Sequence, residues 1–235
     1  DTSGALILAK NPGAMVEMLR QFRQREVEKS YRCLTHGKFS IEEDTLRMPL
    51  GRDPRDRRRF DVRPTGRKSE TSYRVEEFWP HLDETAIRDW WRSQECEFPV
   101  TNFRKRIKIY QGFSLVSCFP KTRRTHQIRV HMSAVDHPLV ADEVYAGSKR
   151  TQLDTVWCPR QFLHAAAVSF GHPRTGEAMT VEAPLTEGDH YWMTRAVSGA
   201  PSRPLGPKKQ RTMAIADEPG PRMIVDLDSE DHSAE

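Results

Sequence analysis

The residues best suited to chemistry lie between Thr122 and Pro138, in the run Thr-Arg-Arg-Thr-His-Gln-Ile-Arg-Val-His-Met-Ser-Ala-Val-Asp-His-Pro. Ile128, Met132 and Val135 fall on one helical face, Thr125 is a candidate N-cap, and Pro138 stops continuation. Asp136 is placed to take the left-handed conformation at the C-terminal end. Arg124, His126, Gln127 and Arg129 then gather around the N-terminus of a short helix. Free backbone N–H groups and the helix dipole already favour anions there, and two guanidinium groups add charged donors. The chemistry expected is recognition of a phosphate or a carboxylate. A metal site is a poorer fit, because His126 and His131 are five residues apart and point about 140° apart on a helix. The simpler expectation for His126, His131 and His137 is polar packing.

A second concentration of charge runs from Gly51 to Lys68. Arg52, Arg55, Arg57, Arg58, Arg59, Arg63, Arg67 and Lys68 crowd one loop, and Pro54, Pro64 and Gly66 prevent a single helix. Their mutual repulsion argues for an anionic partner, and phosphate contacts are the expected role. The whole chain of 235 residues carries a formal charge of only +4, so the local distribution is more informative than the total.

Several elements must position these residues. Ala5–Ala9 reads as a buried strand, punctuated by Asn11-Pro12-Gly13. Ala14 to Val27 has helical spacing through Met15, Met18, Leu19 and Phe22. Strands are expected at Tyr31–Leu34, Thr71–Val75, Phe113–Cys118, Phe162–Phe170 and from Met179 to Pro184. Residues 79–106 read as an inserted excursion with Trp90 and Trp91 in a short helix. Strands and helices mix without regular alternation, which predicts an α+β fold, a mixed and mainly antiparallel sheet with flanking helices. One catalytic domain is expected over residues 1–195. A disordered tail is expected over 196–235, where the basic tetrad Lys208–Arg211 reads as a solvated charge run. The four cysteines Cys33, Cys96, Cys118 and Cys158 have no CxxC spacing, which fits reduced thiols in an intracellular chain and excludes a zinc ribbon. No apolar run reaches the roughly 20 residues that span a bilayer.

The run Arg124-Thr125-His126-Gln127-Ile128-Arg129-Val130-His131, followed by His137-Pro138-Leu139, resembles the signature of the RluA family of pseudouridine synthases. Other stretches agree in order. Thr2-Ser3-Gly4 resembles the end of the His-Arg-Leu-Asp-x-x-Thr-Ser-Gly motif, and Lys29-Ser30-Tyr31 the Lys-x-Tyr motif. Leu163-His164-Ala165, His172-Pro173 and Ala183-Pro184 resemble the closing block. Gly51–Arg59 and Lys68–Thr71 resemble the arginine-rich connection.

The resemblance implies isomerisation of uridine to pseudouridine in structured RNA. The base is flipped out, its N-glycosidic bond is cut, and it is rejoined through carbon. No metal or organic cofactor is expected. The expected partner is RNA (ribosomal, transfer or messenger), with a monomeric protein and no membrane association. The family's aspartate stands three residues before the Thr of Thr-Ser-Gly. That position precedes residue 1, so the chain reads as starting after it and is expected to be inactive alone. Tyr31 would stack on the flipped uracil, and Arg129 would pair with the aspartate and keep it ionised. Arg124, His126 and Gln127, with Arg55, Arg57, Arg58, Arg59 and Lys68, are the expected RNA contacts. The alternative is an RNA-binding pseudoenzyme using the same groove. Arg123, Asp136 and Ala141 stand where the family has Gly, and a strained turn is expected at Arg123.

Overall fold

The structure is a computed structural model that describes residues 2–186 together with Gly188, Asp189, Met193 and Val197. The tail expected over 196–235 lies outside the described residues apart from Val197. In chain order the elements are β1 (Ser3–Gly4), α1 (Pro12–Gln24), β2 (Glu28–His36), β3 (Glu43–Arg47), β4 (Leu50–Arg52), β5 (Phe60–Val62), β6 (Glu70–Trp79), α2 (Glu84–Ser93), α3 (Phe103–Arg106), a 3-10 turn (Ile107–Ile109), β7 (Phe113–Pro120), α4 (Gln127–Ala134), α5 (Ser148–Asp154), β8 (Leu163–Gly171) and β9 (Ala178–Glu182).

The fold is α+β. Seven strands form one sheet in the order β1-β8-β2-β7-β6-β3, with β9 also on β8. Every pairing in it is antiparallel except β1 with β8. β4 and β5 make a separate two-stranded hairpin within the arginine-rich segment. The central strands β2 and β7 place Cys33, Leu34, Val116 and Cys118 in the interior. All four cysteines are free thiols, and only Cys96 is exposed.

Two sequence expectations shift at the N-terminal end. Of residues 5–9 only Ile7 is fully buried, packed with Met18 and Val168, and the strand that joins the sheet is Ser3–Gly4. Asn11-Pro12-Gly13 opens α1 rather than merely ending a strand. Asn11 Oδ1 accepts from the Ala14 N–H at 2.8 Å, and Pro12 supplies a pre-set φ in the first turn. The helix stops three residues before Val27, because Arg25 takes a left-handed conformation at φ 61° and closes it.

The 79–106 excursion is built into the core. Asp83 caps α2 through the Ala86 N–H, Ile87 is buried without residue, and Trp91 Nε1 donates to the Val156 carbonyl at 2.9 Å. Phe103 joins Phe113, Trp157 and Phe162 in the largest apolar cluster among the described residues. The remaining polar residues of the excursion face outward.

Candidate active site

A cleft of about 610 Å³ opens where β1, β2, β8 and the turn into α4 meet. That volume lies in the range that encloses a small organic ligand or a single flipped nucleoside. Thr2, Ser3 and Gly4 form one wall. Lys29 and Tyr31 of β2 form another, and residues 122–129 form a third. Leu163 and Ala165 of β8 supply apolar surface.

The Thr-Ser-Gly wall is held rigidly. Ser3 and Gly4 pair in parallel with His164 and Ala165. Ser3 Oγ lies 2.9 Å from His164 Nδ1 and accepts from Arg160 Nη2 at 3.0 Å. His164 Nε2 is 3.0 Å from the Ala183 carbonyl, where it donates. Gly4 has φ +115°, and a Cβ there would lie 2.2 Å from the Ala165 carbonyl oxygen, so only glycine fits. Thr2 lines the cleft, so a residue three positions before it falls within roughly 10 Å of the cleft.

Tyr31 sits at a bulge. The β2–β8 register shifts between Ser30 and Tyr31, so Tyr31 opposes Ala165 on one side and Cys118 on the other. The extra residue of that bulge is Ala166 of β8, while Lys29 and Tyr31, two apart on β2, reach the cleft wall from the same face of the strand. The Tyr31 ring is half buried against the cluster of Cys33, Val116 and Leu163.

Arg129 lies in the first turn of α4, and only 11% of its side chain is exposed. Its Nε and Nη2 donate to the two carboxylate oxygens of Asp142, both at 2.8 Å, and Asp142 is fully buried. Asp142 Oδ1 also accepts from the Val144 and Tyr145 N–H groups at 3.0 Å. The guanidinium lies 5.0 Å from the centroid of the Tyr145 ring. This two-pronged pairing fixes the plane of Arg129 and leaves the Nη1 donors for the cleft that it lines. Arg129 therefore has a partner of its own, Asp142, which the sequence reading did not assign to it.

Residues 1–134 match the family described as RNA pseudouridylate synthase. The chain belongs to that family. Within it, the chain is of the RluA type. It is 34% identical over 187 residues to "Uncharacterized RNA pseudouridine synthase YlyB" of Bacillus subtilis, covering 80% of this chain and 50% of that protein. It is 33% identical over 193 residues to "Ribosomal large subunit pseudouridine synthase C" of Escherichia coli K12, covering 80% and 51%. The chain thus spans about half the length of the curated relatives it matches. Among solved structures it resembles "Human RNA Pseudouridylate Synthase Domain Containing 1", with a TM-score of 0.56 and 27% identity, covering 75% of this chain and 62% of that one.

Other residues expected at the synthase site divide into two groups. His126 enters α4 in a left-handed conformation at φ 55° and makes no side-chain cap, while Thr125 is exposed and caps nothing. Tyr145 Oη accepts from the Phe60 N–H at 3.0 Å and is hydrogen-bonded to His126 Nδ1, also at 3.0 Å. Arg124 is partly exposed, and its Nε donates to the Lys68 carbonyl at 3.3 Å, tying the turn to the arginine-rich segment. Arg123 does not have positive φ. The left-handed residues here are His126, Asp136 and Ala141, so the expected strain at Arg123 is absent.

Gln127 is placed differently from its expected role as an RNA contact. It is 5% exposed, and its amide donates to the Glu70 carbonyl (3.0 Å) and to Thr71 Oγ1 (2.9 Å) while accepting from Thr122 (2.8 Å). Both donors are spent inside the protein. His131 is likewise internal, bonded to Thr71 and Ser69, and burial lowers its pKa. His137 stacks on Phe39. No group of three or more His, Cys, Asp and Glu that could hold a metal ion occurs among the described residues.

In the arginine-rich segment Arg55, Arg57, Arg58 and Lys68 are exposed. Its charge is partly offset. Asp56 pairs with Arg58 and accepts from its N–H, and Asp53 accepts from the Arg55 N–H. Arg59 is half buried, 5.4 Å from the Tyr145 centroid. Tyr145 thus joins the hairpin, the α4 turn and Arg129, and burial raises its pKa.

Four residues were given no role by sequence reasoning. Asp142 and Tyr145 are two. Lys29, seen only as part of the Lys-x-Tyr motif, lines the cleft, and burial, with Arg123 as the lesser cause, lowers its pKa to about 8. Asp154 is the fourth. It accepts from the Ala141 N–H at 2.9 Å and from Tyr110 Oη at 2.6 Å, and lies 2.9 Å from His36 Nε2. It thereby holds the residue immediately before Asp142.

Proposed function

We propose that the full-length protein isomerises uridine to pseudouridine in RNA, as a monomer and without a cofactor. The observation that carries this reading is the convergence on one cleft of the Thr-Ser-Gly wall, Tyr31 and Arg129. The catalytic carboxylate belongs at the motif position three before Thr2, close to the guanidinium edge that Asp142 leaves unused. An arginine there keeps the carboxylate ionised and oriented for attack on, or proton removal from, the ribose. Tyr31 offers the flipped uracil a stacking face, and its hydroxyl is available for proton handling. The exposed cations Arg55, Arg57, Arg58 and Lys68, with Arg124, His126 and the half-buried Arg59, take the surrounding RNA. Gln127 serves as a strut rather than a contact. The names of relatives such as the Escherichia coli protein make large-subunit ribosomal RNA the first substrate to test.

The test is carbodiimide-based primer-extension mapping of ribosomal RNA from cells lacking the gene, before and after treatment with the full-length protein. A new uridine-specific stop is expected. RNA binding without any new stop would overturn the isomerase reading in favour of a binding module. On the motif arithmetic, residues 1–235 alone are expected to yield no stop.

A further inference from the structure

The excursion carries a feature that the cleft does not use. Asn102 to Tyr110 contains Arg104, Lys105, Arg106 and Lys108 and no acidic residue. Phe103 is buried and Ile107 packs on the same apolar cluster, so this pair anchors α3 and turns the cations outward. All four are exposed. Arg106 Nη2 reaches Gln152 Oε1 of α5 at 3.4 Å, and Lys149 lies one turn before Gln152 with Arg150 beside it. Two helices from distant parts of the chain therefore merge their basic faces.

Several other surface arginines have carboxylates within reach. Arg20 pairs with Glu17 and Glu26, Arg74 with Glu76, Arg88 with Glu84, and Arg92 with Asp89. On the α3–α5 face the sole ion pair among the described residues is Arg104 with Glu84 at 3.9 Å, and Glu84 already holds Arg88 at 2.7 Å. Packing dictates Phe103 and Ile107 but not the charge of the residues between them. A basic face with a single, shared carboxylate is self-repulsive, and a polyanion relieves that repulsion.

We propose that this α3–α5 face is a second phosphate-binding surface, which grips the RNA substrate away from the flipped nucleotide. The inference rests on the RNA reading of the cleft. RNA fits better than an acidic protein because the exposed cations offer contacts to phosphates and RNA is the partner that the cleft reading already requires. β2 runs from Tyr31 at the cleft to His36, which lines a small hollow with Arg150 and Ile109. The two residues are five positions apart and leave opposite faces of the sheet, so an RNA that touches both places passes around the end of β2. Contacts of this kind give affinity and register without reading sequence.

The test uses the full-length protein with Arg104→Gln, Lys105→Gln, Arg106→Gln and Lys108→Gln combined, and Lys108→Glu alone in case the combination unfolds. Two synthetic RNA hairpins are titrated over a range of salt, one with a long stem and one truncated to the loop and its closing pairs. For the long hairpin the combined variant is expected to bind roughly tenfold more weakly and to lose about 3 from the slope of log affinity against log salt. Lys108→Glu is expected to lose about 1. The short hairpin is expected to bind all proteins alike, and kcat at saturating RNA is expected to stay at the wild-type value. Unchanged affinity and slope on the long hairpin would overturn the proposal, and an acidic protein would become the occupant to seek. Failure of the cleft reading shows separately, as wild-type protein that forms no pseudouridine.

Discussion

Toward one end of β2, Tyr31 faces a polar cleft walled by Thr2, Arg123, His126 and Arg129. At the other, His36 stacks on Tyr110 and leans on Phe113, beside the dry cluster that Trp157 and Phe103 fill. The first region is held by directional polar ties and the second by apolar burial. The two are not independent. Asp154 lies at the dry end, yet it holds the Ala141 N–H, and the next residue, Asp142, holds Arg129. Ala141 keeps φ 57° at that junction, a conformation non-glycine residues adopt only when their surroundings impose it. The apolar end thus supplies the rigid frame, and the polar end receives its aim from it.

The strongest way to break this comparison is to damage each end by a similar amount. Asp142→Ala leaves a nearly buried guanidinium without its partner, at a cost of about 3–5 kcal/mol. Trp157→Ala opens a cavity costing about 3–5 kcal/mol. Urea unfolding is expected to show similar losses. In the full-length protein, pseudouridine yield per folded molecule is expected to vanish for Asp142→Ala and to fall only in part for Trp157→Ala, which disturbs the frame but leaves Asp142 on Arg129. An undiminished yield for Trp157→Ala would show that the polar end does not receive its aim from the apolar one.

A smaller change sharpens the polar side. Tyr145→Phe keeps the ring under Arg129 but removes the hydrogen bonds to Phe60 and His126, each worth about 1 kcal/mol. Stability is expected to fall by about 1–2 kcal/mol, and turnover roughly tenfold if His126 is set by that hydroxyl. Turnover equal to wild type would reduce Tyr145 to packing.

The smallest expected effect concerns pH. Lys29 has a folded pKa of about 8, below the ordinary lysine value. Its charge is lost as pH rises through about 8, and RNA affinity is expected to fall by about 1 kcal/mol, roughly fivefold, between pH 7 and 9. The linkage to stability has the opposite sense. The folded state binds fewer protons between about 8 and the ordinary value, so stability rises with pH across that window and is lowest below about 8. Lys29→Gln is expected to flatten both profiles. An unchanged affinity profile in that variant would assign the titration elsewhere.

Local pattern made much of this molecule readable. The strand through Tyr31, the helix after His126 and the left-handed Asp136 follow from alternation, helical spacing and side-chain chemistry. The N-cap rule placed Thr125 one residue too early, because it presumes an extended entry and α4 is entered through a left-handed His126. The partners of Arg129 and His126 were illegible for another reason. Asp142 and Tyr145 lie 13 and 19 residues away, and no periodicity encodes a pairing that only the folded turn creates. Gln127 looked like a contact because it stands among cations, and only the fold shows its donors spent on β6. Residues 79–106 read as an insertion because their apolar residues, Ile87, Phe98 and Phe103, are too sparse to announce that they share a core with Trp157.

The pairing of β8 has one more consequence. One side of that strand is taken by β2. On the other, β1 covers His164 and Ala165 while β9 covers Ala167 to Gly171. Two short segments from opposite parts of the chain meet end to end along a single flank, and the Ala5 and Ala183 N–H groups bond the Ala165 and Ala166 carbonyls at the seam. An exposed flank of alternating Ala, Val and Phe would be a template for another chain's strand and a seed for aggregation. Ser3 and Gly4, which wall the cleft, therefore also close the His164–Ala165 end of that flank, while β9 covers its more apolar stretch.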